Sequence, residues 1–196
     1  MPRPTWFDNC LRDQSLTDLQ LNQLFDHYKL LVKWNQRMNL TSVPPGPEMV
    51  ERHYGESLFF GAHLPVTAVS IVDIGSGAGF PGVPLAIQED SRRVTLVESN
   101  QKKAVFLKEA ARSLINVSVL ATRAEEVRRT FDWIVSRAVD PTEVLRLLPR
   151  LALRVGLMIG EGDVSDVKKR TDIAWSEPIQ LPWGDRRFCV YGECST

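Results

Sequence analysis

The stretch VDIGSGAGFPGVPL, residues 72–85, limits the possible folds more than any other part of the chain. An apolar run ends in Asp73, and Gly75, Gly77, Gly79 and Gly82 follow almost at once. Glycine at this density weakens any helix or strand it sits inside, so the backbone must turn sharply and be approached closely. A strand that enters a glycine turn and leaves it as a helix forms the ligand corner of a doubly wound α/β sheet, with backbone N–H groups aimed at the bound group. The spacing reads GxGxG from Gly75 and GxGxxG in another register, Gly77, Gly79 and Gly82. By itself this is weak, because any tight strand-to-helix turn uses glycine.

The rest of the chain supplies the sheet. Apolar runs at VSIVDI, VTLVE, VSVLA, WIVSRA and VGLMIG alternate with helix-like PGVPLAIQ, QKKAVFLKEAARSL, AEEVRRT and PTEVLRLLPR. Such alternation predicts a doubly wound, mostly parallel sheet. A charged, helix-like segment at 163–172 follows, then RRFCVYGE as a closing strand paired with IAWSEPIQL. Residues 1–65 read differently, as a helical N-terminal extension to the Rossmann-like domain at 66–196. Leu21, Leu24, Phe25, Tyr28, Leu31 and Val32 keep helical spacing behind a Thr17–Gln20 capping box. The prolines of SVPPGP should break that helix. A second helix is predicted over 48–62 with Val50, Tyr54, Leu58 and Phe59 inward.

Two acids sharpen the glycine turn. Glu98 ends the next strand, where the ribose-binding acid of a Rossmann unit falls. Asp73 sits just before the first glycine. A dinucleotide would bring a pyrophosphate there, which an acid repels. S-adenosylmethionine would bring an amino group and a sulfonium, which an acid suits. Pro81 and Pro84 fit the first turn of the following helix, where a missing N–H is tolerated.

Lys+Arg and Asp+Glu balance at 24 each, so nucleic acid could be held only by a local basic patch. No apolar run approaches membrane-spanning length, and the N-terminus lacks an apolar signal core; both point to a cytoplasmic protein. Cys10, Cys189 and Cys194 lack metal spacing and read as reduced thiols, although Cys189 and Cys194 could approach across a hairpin. His27, His53 and His63 form no metal set.

Several motifs in order resemble one family, the bacterial 16S ribosomal RNA guanine-N7 methyltransferases, historically called glucose-inhibited division protein B. They are WNQRMNLTSV, ERHYGESL, VDIGSGAGFPGVPLAI, VESNQKKAVFLKEA, ATRAEEV and FDWIVSRAV. The resemblance implies a class I methyltransferase fold with a helical N-terminal extension. It implies S-adenosylmethionine as cofactor and methyl transfer to N7 of one guanine of small-subunit rRNA, within the 30S subunit or an assembly intermediate. By motif, Gly75 and Phe80 match the cofactor loop, with Asp73, Gly77 and Gly79 beside them. Ala124 and Glu125 match positions beside the adenine, Glu98 the ribose acid, and Arg137 a binding residue near the reaction centre. After VGLMIG many relatives carry Lys-Gly, where this chain has Glu161-Gly162.

That chemistry needs no general base, because guanine N7 has an in-plane lone pair; positioning can supply much of the rate. Arg137, the candidate catalytic residue, could contact O6 or a phosphate. Candidate RNA contacts are Lys33, Arg37, Arg52, His53 and Arg123, with Arg128, Arg129, Arg186 and Arg187 also in reach of the sequence argument. Trp34 would either pack the extension or offer a stacking surface. Ser57 and Asn39 would tie the extension to the glycine loop. A small-molecule methyltransferase and a non-catalytic RNA-binding module of ribosome assembly are the rival readings. No membrane partner is expected; oligomeric state is open, with a monomer as the default.

Overall fold

The computed structural model describes residues 2–195. It begins with α1 (Thr5–Leu11), a helix the periodicity does not reveal, followed by a 3-10 turn (Arg12–Gln14). Phe7 and Leu11 are buried, and Phe7 meets Phe25 edge-on with ring centres 5.1 Å apart. α2 (Asp18–Asn35) starts at the expected capping box, with Gln20 N donating to Thr17 Oγ1 and Thr17 N to Gln20 Oε1. Such a cap contributes about 1 kcal/mol. The helix ends at Asn35, well before the prolines. Asn35 Oδ1 accepts from Leu40 N and Thr41 N, and its Nδ2 donates to Thr41 O, so a side chain stops the helix first.

α3 (Pro47–Met49), a π-helical turn (Val50–Gly55) and α4 (Glu56–Ala62) run on without a break. Val50, Tyr54 and Leu58 face inward as expected, but Phe60 is buried where Phe59 was expected. The wider π turn shifts the helical phase, and the apolar stripe moves by one residue.

The sheet follows as β1 (Ser70–Ile74), α5 (Gly82–Gln88), β2 (Arg93–Val97), α6 (Gln101–Ala110), β3 (Val117–Leu120), β4 (Trp133–Arg137), α7 (Pro141–Leu145), β5 (Arg154–Gly160), α8 (Glu161–Val167), β6 (Ile173–Trp175), β7 (Ile179–Gln180) and β8 (Arg187–Cys194). The order is β3-β2-β1-β4-β5-β8-β6, with β7 also on β8. β1 to β5 are parallel; β8 runs antiparallel to β5, β6 and β7. AEEVRRT forms only a 3-10 turn (Ala124–Glu126) that ends at an extended Val127, and Arg150 donates to the carbonyls of Ala124 and Val127. Cys189 and Cys194 lie along the same strand rather than across a hairpin, so they cannot bridge.

Successive side chains of a strand point to opposite faces. Ile71, Leu96 and Val135 face α5, α6 and the N-terminal helices in one continuous core. Val72, Val97 and Ile134 face α7 and α8 in the other. The extension therefore shares its core with the sheet. Strand order reverses between β1 and β4, and the crevice at their carboxyl ends is where such sheets bind ligands. No helix among the described residues is long and apolar enough to cross a membrane.

Candidate active site

The glycine loop lies at that crevice. Gly75 (φ +70°) and Gly77 (φ +55°) are left-handed and reach the surface. A Cβ on Gly75 would lie 2.4 Å from Val139 Cγ2, so any side chain there would be both strained and blocked. Gly75 N and Ser76 N donate to Val97 O, which ties the loop to β2. Gly79 is also left-handed but buried, against Val83 and His27, so its conformation serves packing.

Asp73 needs a correction. Its side chain lies on the sheet face beneath α5, fully buried, with Oδ2 accepting from Gly82 N at 3.1 Å. Burial pushes its carboxyl up to about 7. It pins the start of α5 from below and does not meet a ligand's amino group. The Phe80 ring is likewise turned inward, stacked on His53 at 4.8 Å and edge-on to Tyr54 at 5.0 Å.

Glu98 stands where expected, at the carboxyl end of β2 and 7% exposed. Its Oε2 accepts from Gly77 N at 3.0 Å and its Oε1 from Asn100 N at 2.8 Å. Asn100 in turn caps α6 through Lys102 N and Lys103 N. A cleft of about 220 Å³ opens beside it, lined among others by Gly75, Ser99, Arg123, Ala124, Glu125 and Val139. Four residues of the sequence reading, Gly75, Arg123, Ala124 and Glu125, thus come together, with Arg123 at the cleft and not on a separate RNA face.

Arg137 ends β4 beside β1. Its Nη2 lies 3.1 Å from Oε2 of Glu56, and Arg187 Nη2 lies 2.6 Å from Oε1 of the same carboxylate. Glu56 is fully buried at the start of α4; the sequence reading missed it. It is the acid of the ERHYGESL motif, set in the otherwise apolar helix after Arg52 and His53, but the motif gave it no role in the site. Burial raises its carboxyl, and the facing Arg137, Arg187 and Arg52 oppose the rise.

His53 is not a cation. Burial and the nearby arginines lower its ring to about 3, and Nε2 bonds Thr41 Oγ1 at 2.7 Å. Ser57 Oγ donates to His53 O within its own helix and ties nothing to the loop. Trp34 packs edge-on against Phe106. Lys33, Arg37 and Lys102 share a groove of about 620 Å³ between the end of α2 and α6. Arg52 is half-buried and pairs with Glu48 at 3.1 Å. Arg128 donates to Glu125 O, and Arg129 reaches Thr95 and Ser118 on the sheet and stacks on Phe131 at 4.9 Å. Arg129 is spent on the fold.

Glu161 pairs with Arg186 at 2.9 Å and opens α8, where an acid suits the helix N-terminus. The departure from Lys-Gly thus carries its own partner.

His27 sits beneath the loop, with Nδ1 2.7 Å from Tyr54 Oη, and burial lowers it to about 4. The unfolded ring titrates near 6.5, so below that pH the unfolded state binds the extra proton and folding weakens. Asp73 acts oppositely: its raised carboxyl favours the folded state at acid pH, and that contribution is lost as pH rises through about 7. Replacing His27 with Gln should isolate the first effect. Relative to wild type, the variant is expected to gain about 2 kcal/mol between pH 7.5 and pH 5 in urea unfolding. An unchanged difference across that range would mean His27 does not remain neutral in the folded state.

A family profile described as rRNA small subunit methyltransferase G matches residues 20–159. The protein of that name from Actinobacillus pleuropneumoniae serotype 5b is 41% identical over 178 residues, 86% of each chain. The Nitrosomonas europaea protein is 44% identical over 126 residues, 62% of this chain; the match spans 58% of that relative's length. Among solved structures, an S-adenosylmethionine-dependent methyltransferase from Aquifex aeolicus superposes with TM-score 0.61 at 18% identity, over 76% of this chain and 94% of that one. Magnesium protoporphyrin IX methyltransferase from Synechocystis, with bound S-adenosylmethionine, gives TM-score 0.62 at 14% identity, over 87% and 98%. The fold is that of class I methyltransferases.

Proposed function

The chain belongs to the rRNA small subunit methyltransferase G family, and we propose that it transfers a methyl group from S-adenosylmethionine to N7 of one guanine of 16S rRNA. The observation that carries this reading is the cleft at the β1/β4 switch point, lined by the exposed left-handed Gly75 together with Ala124 and Glu125, with Gly77 tied to Glu98 at the end of β2 and Arg137 at the end of β4.

The residues fit the cofactor. Gly75 offers a backbone surface that any Cβ would close, and Glu98 presents the carboxylate that two ribose hydroxyls require. Ala124 and Glu125 would flank the adenine, and Gly77 would support the methionine end. S-adenosylmethionine supplies a methyl group already activated on a positive sulfur. The protein's task is then alignment and exclusion of water, because the N7 lone pair needs no deprotonation. Arg137, held by Glu56, would orient the guanine through O6 or an adjacent phosphate and leave N7 free. Arg52, Arg123, Lys33 and Arg37 would hold the surrounding RNA, with the 30S particle or its precursor as the substrate form. The reaction would take place in the cytoplasm.

The test is to incubate 30S subunits lacking N7 methylation with this protein and methyl-labelled cofactor, then map label on the RNA. Label at one guanine N7, reduced at least a hundredfold in Arg137→Ala, is expected. Cofactor binding without labelled RNA would sink the proposal.

A further inference from the structure

Around Glu56 the charges do not balance. Three guanidinium groups, Arg52, Arg137 and Arg187, face this one buried carboxylate. The surface acid Glu48 takes one edge of Arg52 and nothing else. The two contacts to Glu56 are charge contacts off the N–H axes; neither carboxylate oxygen receives an aligned hydrogen bond. Arg137 Nη1, Arg187 Nη1, Arg52 Nε and His53 Nδ1 are all buried and have no hydrogen-bond partner among the described residues. Thr41 Oγ1 accepts from Val43 N and bonds His53 Nε2, so the ring's Nδ1 donates or accepts according to its tautomer. The three guanidinium nitrogens are donors in either case. Unmet donors in one place are expensive unless something accepts from them, and planar guanidinium forks match oxyanions best.

The location fits a ligand. Arg137 closes β4, and Arg187 pairs in register with Gly160 at the end of β5, so both stand at the carboxyl edge of the sheet. Trp183 lies 3.0 Å from where a Cβ of Gly55 would be, so the loop before β8 covers the π turn closely. The π turn itself brings Arg52 and His53 to the same place as Glu56.

We propose that Arg52, His53, Arg137 and Arg187, arranged around Glu56, form an oxyanion site at the carboxyl edge of the sheet that takes a phosphodiester of the RNA substrate or the carboxylate of the cofactor. Glu56 holds the two arginines apart and lowers the repulsion between them while the site is empty. The RNA source rests on the function proposed above; the site itself does not.

The experiment uses the full chain and three probes. Inorganic phosphate, compared with chloride at equal ionic strength, should raise the thermal midpoint of the wild type and not of Arg187→Gln. Arg187→Lys, which keeps the charge without the fork, should restore part of the rise. Cofactor titration and RNA binding then separate the sources. If Arg187→Gln weakens RNA about tenfold and lowers the salt slope by about one, with cofactor affinity unchanged, the site takes the phosphodiester. If cofactor affinity falls instead, it takes the carboxylate. An equal response of wild type and Arg187→Gln to phosphate, with both affinities unchanged, overturns the site. If the wild type binds phosphate but no RNA, the RNA reading fails and the site stands.

Discussion

Replacing Glu98 with alanine should weaken S-adenosylmethionine binding by about a hundredfold. Hydrogen bonds to a charged group contribute about 1.5–3 kcal/mol each, and two ribose hydroxyls would lose theirs together. The carboxylate also holds Gly77 N and Asn100 N, so its removal loosens the loop and the start of α6. Glu98→Gln separates the two effects in part. Its single amide oxygen keeps one of the two backbone bonds, its NH2 faces the other N–H, and the charge is lost; a loss of about tenfold is expected. Calorimetric titration reads both variants against the unfolding midpoint. Wild-type affinity in Glu98→Ala would show that this acid ties the loop and binds no ribose.

The second large effect is on stability. Glu56→Ala would leave Arg137 and Arg187 facing each other with side chains only 16% and 25% exposed. Breaking a buried ion pair by removing one partner costs about 3–5 kcal/mol. For a chain of this size that is a fall of roughly 10 °C in Tm. Adding Arg187→Met should recover part of the loss, because the repulsion goes with the second charge. A fall of less than about 2 °C would mean that water or rearrangement satisfies the arginines, and that Glu56 does not organise the strand end.

The two variants differ in how far the sequence reveals them. Glu98 was legible because its position is set by local rules: a strand end followed by an Asn-capped helix, one βα unit after a glycine turn. The same holds for the five parallel strands, since strands buried on both faces read as continuous apolar runs. Glu56 was not legible. Arg52, four residues earlier, faces it, but its two ion-pair partners, on β4 and β8, are far away in sequence. The π turn was hidden for a related reason: Gly55, its last residue, packs against Trp183, which is distant in the chain.

The sequence alone determined the α/β class, the strand-by-strand alternation, the position of the glycine turn and the acid at the end of β2. Each depends on spacing within one element or one βα unit, where local sterics and periodicity decide. Only the tertiary structure decided which groups meet. It turned Asp73 under α5, buried Gly79 and Phe80, spent Arg129 on the sheet, and set Arg137 against Glu56 and Arg187. A side chain's charge state and partners follow from burial and from residues distant in the chain, and no periodicity carries that information.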